Sequence, residues 1–291
     1  MMTLHDLLWG PFIEYGFMRR ALVACLCLGL GSGPIGVFLM LRRMSLVGDA
    51  MSHAILPGAA IGYLVAGSLS LTAMGLGGLI AGVAVALLSG AVSRATVLQE
   101  DASFASFYLA SLALGVLIVS LRGSNIDLLH VLFGTILAIG NPALFQIGAI
   151  TTLTLIVLAV IYRPLVVECF DPSFLRAIGA RGSVYHLLFL LLVVLNLVAS
   201  FQALGTLMAV GLMMLPAAIA QLWARSLASM MVVAAASATA SGYLGLIASY
   251  HLELASGPTV IVTAALIYGL SIVFAPSGLL RRYFPRPHLT G

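Results

Sequence analysis

Lysine is missing from this sequence; its 13 basic side chains are all arginine. A nucleotide-binding P-loop needs a lysine at the β- and γ-phosphates, so the chain is not itself a Walker-type ATPase. Any energy it draws from ATP has to come from another polypeptide. Charge of either sign is scarce: Asp, Glu and Arg together make up 8% of 291 residues. A soluble domain carries about 25% charged residues, so a globular cytosolic fold is not expected. Cys25, Cys27 and Cys169 are odd in number and form no Cys-x-x-Cys, and two of them sit in an apolar run. They read as buried, unreactive thiols. No His-Glu-x-x-His or comparable dense ligand cluster occurs, which argues against a membrane-embedded metalloenzyme. No small-residue cleavage site follows a short apolar core, so residues 1–18 are not expected to be a signal peptide. No repeat of fixed period and no long polar segment divides the chain. Residues 1–291 are therefore expected to form a single transmembrane domain, with no permanently bound cofactor and no nucleic-acid partner.

What fills the sequence is apolar: 62% of residues are hydrophobic. A helix that crosses a bilayer needs about 20 mostly apolar residues. Nine stretches qualify: 21–41, 50–67, 70–92, 102–121, 142–162, 184–201, 204–223, 227–249 and 257–275. The expected fold is an all-α polytopic membrane protein of eight or nine spans. The run from Ile126 to Ile139 is too short to cross and reads as a half-helix or re-entrant piece. Residues 1–18 form an amphipathic lead-in, with Leu4, Leu7, Leu8, Phe12 and Ile13 set among polar residues and the aromatic anchors Trp9 and Tyr15. That composition suits a helix in the membrane interface.

Arginine placement sets the topology. Arg42, Arg43, Arg94, Arg163 to Arg181, Arg225 and the basic tail 276–291 with Arg281, Arg282 and Arg286 follow alternate spans, which puts them in the cytoplasm. Nine spans then leave the N-terminus outside; Arg19, Arg20 and Arg122 fall outside too, against the rule. With one early span not crossing, the count is eight and the N-terminus moves inside.

Two chemically distinct groups interrupt this apolar background at Asp49 and His53. At i and i+4 on a helix they share one face. An ionisable group inside a membrane segment costs roughly 2.5–3.5 kcal/mol on insertion scales, so it faces a polar cavity or a partner. A carboxylate with a neutral imidazole is a half-site for a divalent first-row metal. Gly48, Pro57 and Gly58 bracket the pair and predict a broken or kinked helix. Either residue alone reads equally as a helix-packing group bonded to neighbouring backbone. The pair on one face favours function.

Other polar residues carry weaker signals. Asp127 and His130, three apart, read first as a capping carboxylate and an interfacial imidazole, and second as a contact for metal at the outer mouth. His251 and Glu253 lie in the last outer loop, where they would touch a docked binding protein or simply solvent. Asp171 before Pro172 is an N-cap followed by a favourable first helical residue. Phe174, Leu175 and Ile178 give one apolar face and Gly179 an end, predicting a short helix in the cytoplasmic loop 164–183. Such a helix is an ordinary surface element or a ligand for a partner's groove. Met208, Met213 and Met214 read as packing, not as copper ligands. His186 and His288 receive no role.

These motifs carry a family resemblance. The run from Arg42 to Gly58, Arg-Arg-Met-Ser-Leu-Val-Gly-Asp-Ala-Met-Ser-His-Ala-Ile-Leu-Pro-Gly, resembles the signature of the membrane subunits of zinc and manganese ABC importers. Leu132-Phe133-Gly134-Thr135-Ile136-Leu137 is similar to a stretch of the same subunits, with Thr135 where they often carry a polar residue. Asp171-Pro172, Phe174, Ala177 and Gly179, followed by Tyr185-His186, are similar to their coupling-helix region. Ser200 to Leu207 and Met213 to Ala218 also match. The resemblance covers roughly residues 10 to 280.

It implies a permease subunit and not an enzyme, in a bacterial inner (plasma) membrane. It further implies a second permease copy as partner, a separate ATPase dimer docked on Asp171, Pro172, Phe174, Leu175, Ala177 and Gly179, and an extracytoplasmic metal-binding protein. The transported ion would be Zn²⁺ or Mn²⁺, with zinc first because imidazole favours it. The alternative is a proton-coupled secondary transporter in which Asp49 and His53 relay protons without an ATPase.

Overall fold

In lipid no water is at hand for backbone N–H and C=O groups, so an apolar stretch satisfies them within itself, as a helix. The computed structural model, which describes residues 4–67, 70–98, 100–121, 136–177 and 182–280, contains only helices and their connections among the described residues. They run in order as α1 (Leu4–Glu14), α2 (Gly16–Leu41), α3 (Ser45–Ala66), α4 (Leu71–Ala95) and α5 (Glu100–Leu121). A single 3₁₀ turn, Ile136–Ala138, leads into α6 (Asn141–Phe170) and then α7 (Pro172–Ala177). The chain continues with α8 (Gly182–Leu204), α9 (Thr206–Trp223), α10 (Leu227–Leu252) and α11 (Ser256–Phe274). By length and composition, α2, α4, α5, α6, α8, α10 and α11 are the 7 helices able to cross a membrane. Two further helices have membrane length, α3 with 22 residues and α9 with 18. Asp49 and His53 themselves lower the hydropathy of α3.

The helix ends follow local chemistry. Ser70 accepts from the Ala73 amide to start α4, and Ser226 and Ser229 form a reciprocal capping box at the start of α10. Gly67 ends α3 in the left-handed region (φ 65°). Between α2 and α3 the chain turns through Arg43, also left-handed at φ 60°. There Met44 N–H donates to Leu39 O (2.9 Å) and Arg43 N–H to Met40 O (3.0 Å), the Schellman pattern of helix termination. This corner fixes where α3, and so Asp49, begins.

Helix α2 runs through the middle of the bundle and packs on α6, α8, α9 and α10; α3 packs chiefly on α4 and α5. One apolar cluster, with Phe38, Leu39, Val47, Met51, Leu165 and Phe189, fills the half of the bundle at the Arg42 end. A second, with Phe12, Met18, Leu28, Ile147 and Ala203, fills the other half. Several buried polar side chains are paired inside the bundle: Thr151 donates to Cys27 O (3.0 Å), and Asn196 donates to Thr154 Oγ1 and Leu192 O (both 2.8 Å). Bonds of this kind join helices where lipid offers no competing partner.

Several expectations change here. The break at Pro57 does not occur: α3 is helical from Ser45 to Ala66. Its small residues serve close packing instead. A Cβ on Gly58 would run into the Gly77 carbonyl of α4, and Pro57 lies against Gly115 of α5. The span expected to stop at residue 162 continues as α6 through Pro164 to Phe170, because Leu165 and Val166 pack into the core. Loop 164–183 is therefore helical in its first part. The expected half-helix at Ile126 lies outside the described residues, except for its last turn, Ile136–Ala138. Helix α1 packs on α10: Phe12 stacks on Tyr243 (5.4 Å between centroids), whose hydroxyl donates to Leu8 O (3.1 Å). Arg20, an exception to the arginine rule, donates to Ile139 O (3.0 Å) and so closes the turn before α6.

Candidate metal-transit site

Helix α3 buries Val47, Ala50, Met51, Ala54 and Ile55 against its neighbours. The same periodicity turns Leu46, Asp49 and His53 toward the open face. The Asp49 side chain is 58% exposed and that of His53 28% exposed. Asp49 Oδ1 and His53 Nε2 stand 3.8 Å apart. Two ligands of one tetrahedral ion, each at about 2.0–2.1 Å, would stand about 3.3 Å apart, so a small side-chain adjustment brings both onto one cation. The opposite ring nitrogen, Nδ1, is buried and has no hydrogen-bond partner among the described residues, so Nε2 is the nitrogen presented to the open side. Pro57 also withdraws the amide that a helix would offer to the His53 carbonyl, leaving an extra oxygen in the same turn. At 1.5 Å rise per residue, Asp49 and His53 sit about 6 and 12 Å along α3 from its start, Asp49 nearer the Arg42 end and His53 nearer the middle of the 22-residue helix.

Helix α5 forms the neighbouring wall. Tyr108 stacks on the His53 ring (6.1 Å between centroids, 27°), and Ser111 donates to Ala54 O (3.2 Å). An open cleft of about 120 Å³ is lined by Asp49, Asp101, Phe104 and Tyr108 among others. Sequence reasoning passed over Asp101. In the first turn of a helix an acidic residue is explained by the helix dipole, and no local spacing connects it to Asp49. Among the described residues no third His, Cys, Asp or Glu joins the pair in a metal-sized group.

The remaining candidates lie elsewhere. Asp171 Oδ1 accepts from the Phe174 amide (3.0 Å) and caps α7. On that helix Phe174 is 53% exposed, whereas Leu175, at 3%, packs into the bundle itself. The apolar face expected to point outward is thus divided between two directions. Ala177 is exposed, and Gly179 lies outside the described residues. Asp127 and His130 lie outside them too. His251 and Glu253 are at the opposite end of the bundle from Arg42. His251 Nε2 is 3.0 Å from Leu7 O, and Glu253 occupies the left-handed cap of α10 (φ 53°).

A polar cluster that sequence reasoning missed joins the ends of α2, α6 and α8. The Arg42 guanidinium is 3.0 Å from Glu168 Oε1, with the two side chains only 8% and 13% exposed. It also donates to His186 Nδ1 (2.7 Å) and to Cys169 Sγ (3.3 Å), and it lies over the Phe189 ring (5.3 Å).

Known proteins share this architecture. Residues 14–275 match the model of the ABC 3 transport family. The manganese transport system membrane protein MntC of Halalkalibacterium halodurans is 35% identical over 278 residues, covering 95% of this chain and 94% of that protein. The chelated iron transport system membrane protein YfeD of Yersinia pestis is 31% identical over 274 residues, covering 94% and 90%. Among solved structures, PsaBC from Streptococcus pneumoniae in complex with Fab matches with a TM-score of 0.83 and 28% identity over 97% of this chain and 100% of that one. With the helical bundle and the match over nearly its whole length, the chain belongs to the ABC 3 transport family as a multi-pass membrane permease.

Proposed function

We propose that this permease passes Mn²⁺ across the membrane, with Asp49 and His53 as ligands of the ion in transit. The supporting observation is their position: a half-exposed carboxylate and an imidazole, 3.8 Å apart on one face of α3, beside a cleft that Asp101 also lines. An exposed carboxylate on a membrane helix requires a polar pathway or a partner. The side chains suit either Mn²⁺ or Zn²⁺. The names of the similar proteins, manganese and chelated iron systems, move manganese ahead of the zinc expected from imidazole alone. A second copy related by a two-fold axis duplicates each ligand near that axis, and two Asp–His pairs complete a shell that neither chain has alone.

In this reading the Arg42 end is cytoplasmic. A separate ATPase receives exposed Phe174 of α7, and a metal-binding protein delivers the ion at the end of His251 and Glu253. The test is reconstitution of uptake. Cells lacking their own manganese importers, expressing this chain, should take up radiolabelled manganese only when the ATPase and binding-protein partners are present. An excess of Zn²⁺ should compete less well than unlabelled Mn²⁺. Uptake that persists without the ATPase and is stopped by a protonophore would contradict the reading.

A further inference from the structure

We propose that Arg42, Glu168 and His186 form the link through which α7 acts on α3, with Arg42 as the positioning residue. This rests on the reading of α7 as the helix that receives the ATPase. Arg42 caps α2, and the Arg43–Met44 corner, closed by two backbone hydrogen bonds, runs directly into Ser45 at the start of α3. Glu168 lies in the last turn of α6, just ahead of Asp171, whose carboxylate caps α7. His186 lies in the second turn of α8, on the far side of α7. A single guanidinium therefore touches α6, which precedes α7, and α8, which follows it, and belongs to the corner that sets Asp49.

The link is stiff for identifiable reasons. Both side chains of the Arg42–Glu168 pair are largely shielded from solvent, so separating them leaves charge poorly solvated, and the two ends move together more readily than they part. Arginine offers a planar fork of donors and no acceptor, so His186 Nδ1 and Cys169 Sγ act as acceptors and fix its orientation. One turn deeper, Phe38 meets Phe189 and Tyr162 edge-on (6.0 and 6.3 Å between centroids), holding the same three helices. Displacement of α7 is passed to the α2–α3 corner rather than absorbed in a loop. No spacing rule finds this cluster, because its members are separated by 127 and 144 positions in the chain.

The test separates coupling from folding. Replacing a buried ion pair by apolar residues of similar size is often neutral for stability, whereas removing one partner is not. Arg42→Met with Glu168→Leu should therefore insert and assemble with the ATPase. In proteoliposomes with manganese-loaded binding protein, it should hydrolyse ATP at close to the wild-type rate yet transport at least tenfold less manganese per ATP. Arg42→Lys, which keeps the charge but not the fork, should fall between. Wild-type manganese per ATP in the double variant overturns the proposal. Failure of the double variant to assemble also overturns it, marking the cluster as a folding element. A parallel Phe174→Asp variant that still binds the ATPase at wild-type affinity overturns the reading of α7 itself, and with it the link.

Discussion

At the scale of single residues, the site depends on what α3 does not carry as much as on Asp49 and His53. Gly58 has no side chain because the α4 backbone at Gly77 occupies that space. Gly58→Val has to push α4 away and shift the helix that bears Asp49 and His53. Overpacking of this kind costs about 1–3 kcal/mol. The expected outcome is a lower thermal melting temperature of the detergent-purified permease, together with reduced uptake. Unchanged melting would mean that α3 and α4 do not meet at Gly58. Asp49 and His53 were legible in the sequence because an i, i+4 pair is a local pattern and because ionisable groups stand out in an apolar run. Arg42 was legible only as a topological marker. Its partners come from distant parts of the chain, and nothing near it in sequence announces them.

At the scale of elements, α7 shows how local pattern and tertiary packing divide the evidence. Asp171 caps the helix as its sequence suggests. The apolar side chains that follow do not all face one partner: Leu175 is committed to the permease core and Phe174 projects outward. Helical periodicity cannot distinguish these two directions, since both are apolar. The two positions should therefore respond differently. Burying a phenylalanine is worth about 1.5–3 kcal/mol, so Phe174→Asp should weaken ATPase binding roughly tenfold or more while leaving the purified permease as stable as wild type. Leu175→Asp places a charge in the core and should lower permease stability before any partner is added. Measured ATPase affinity and melting temperature, side by side, distinguish them; the reverse pattern would remove α7 from the interface. The continuity of α3 and α6 through Pro57 and Pro164 has the same origin. Packing of Ile55, Leu165 and their neighbours outweighs the loss of one helical hydrogen bond at each proline.

At the scale of the whole molecule, the helices alternate so that Arg42, Glu168, His186 and Arg225 gather at one end, and Trp9, Tyr243, Tyr250 and Glu253 at the other. This arrangement was largely legible, because hydropathy and arginine placement are properties of long segments. In the proposed reading the positive-inside rule puts the first end in the cytoplasm. In a background lacking Cys25, Cys27 and Cys169, Glu253→Cys should react with a membrane-impermeant thiol reagent on intact cells, and Ala177→Cys should react only after permeabilisation. The opposite pattern would invert the protein in the membrane and put α7 on the wrong side for an ATPase.

The central claim is that an ion crosses this bundle past Asp49 and His53, and Asp49→Asn tests it most directly. The substitution keeps the shape of the side chain and removes only its charge, so α3 should fold and pack as before. With membrane expression and ATPase assembly verified in the same cells, the account predicts that uptake of radiolabelled manganese falls to background in Asp49→Asn and in His53→Ala. Near-normal uptake by both variants would contradict it, and would leave the pair as packing groups on an exposed helix face.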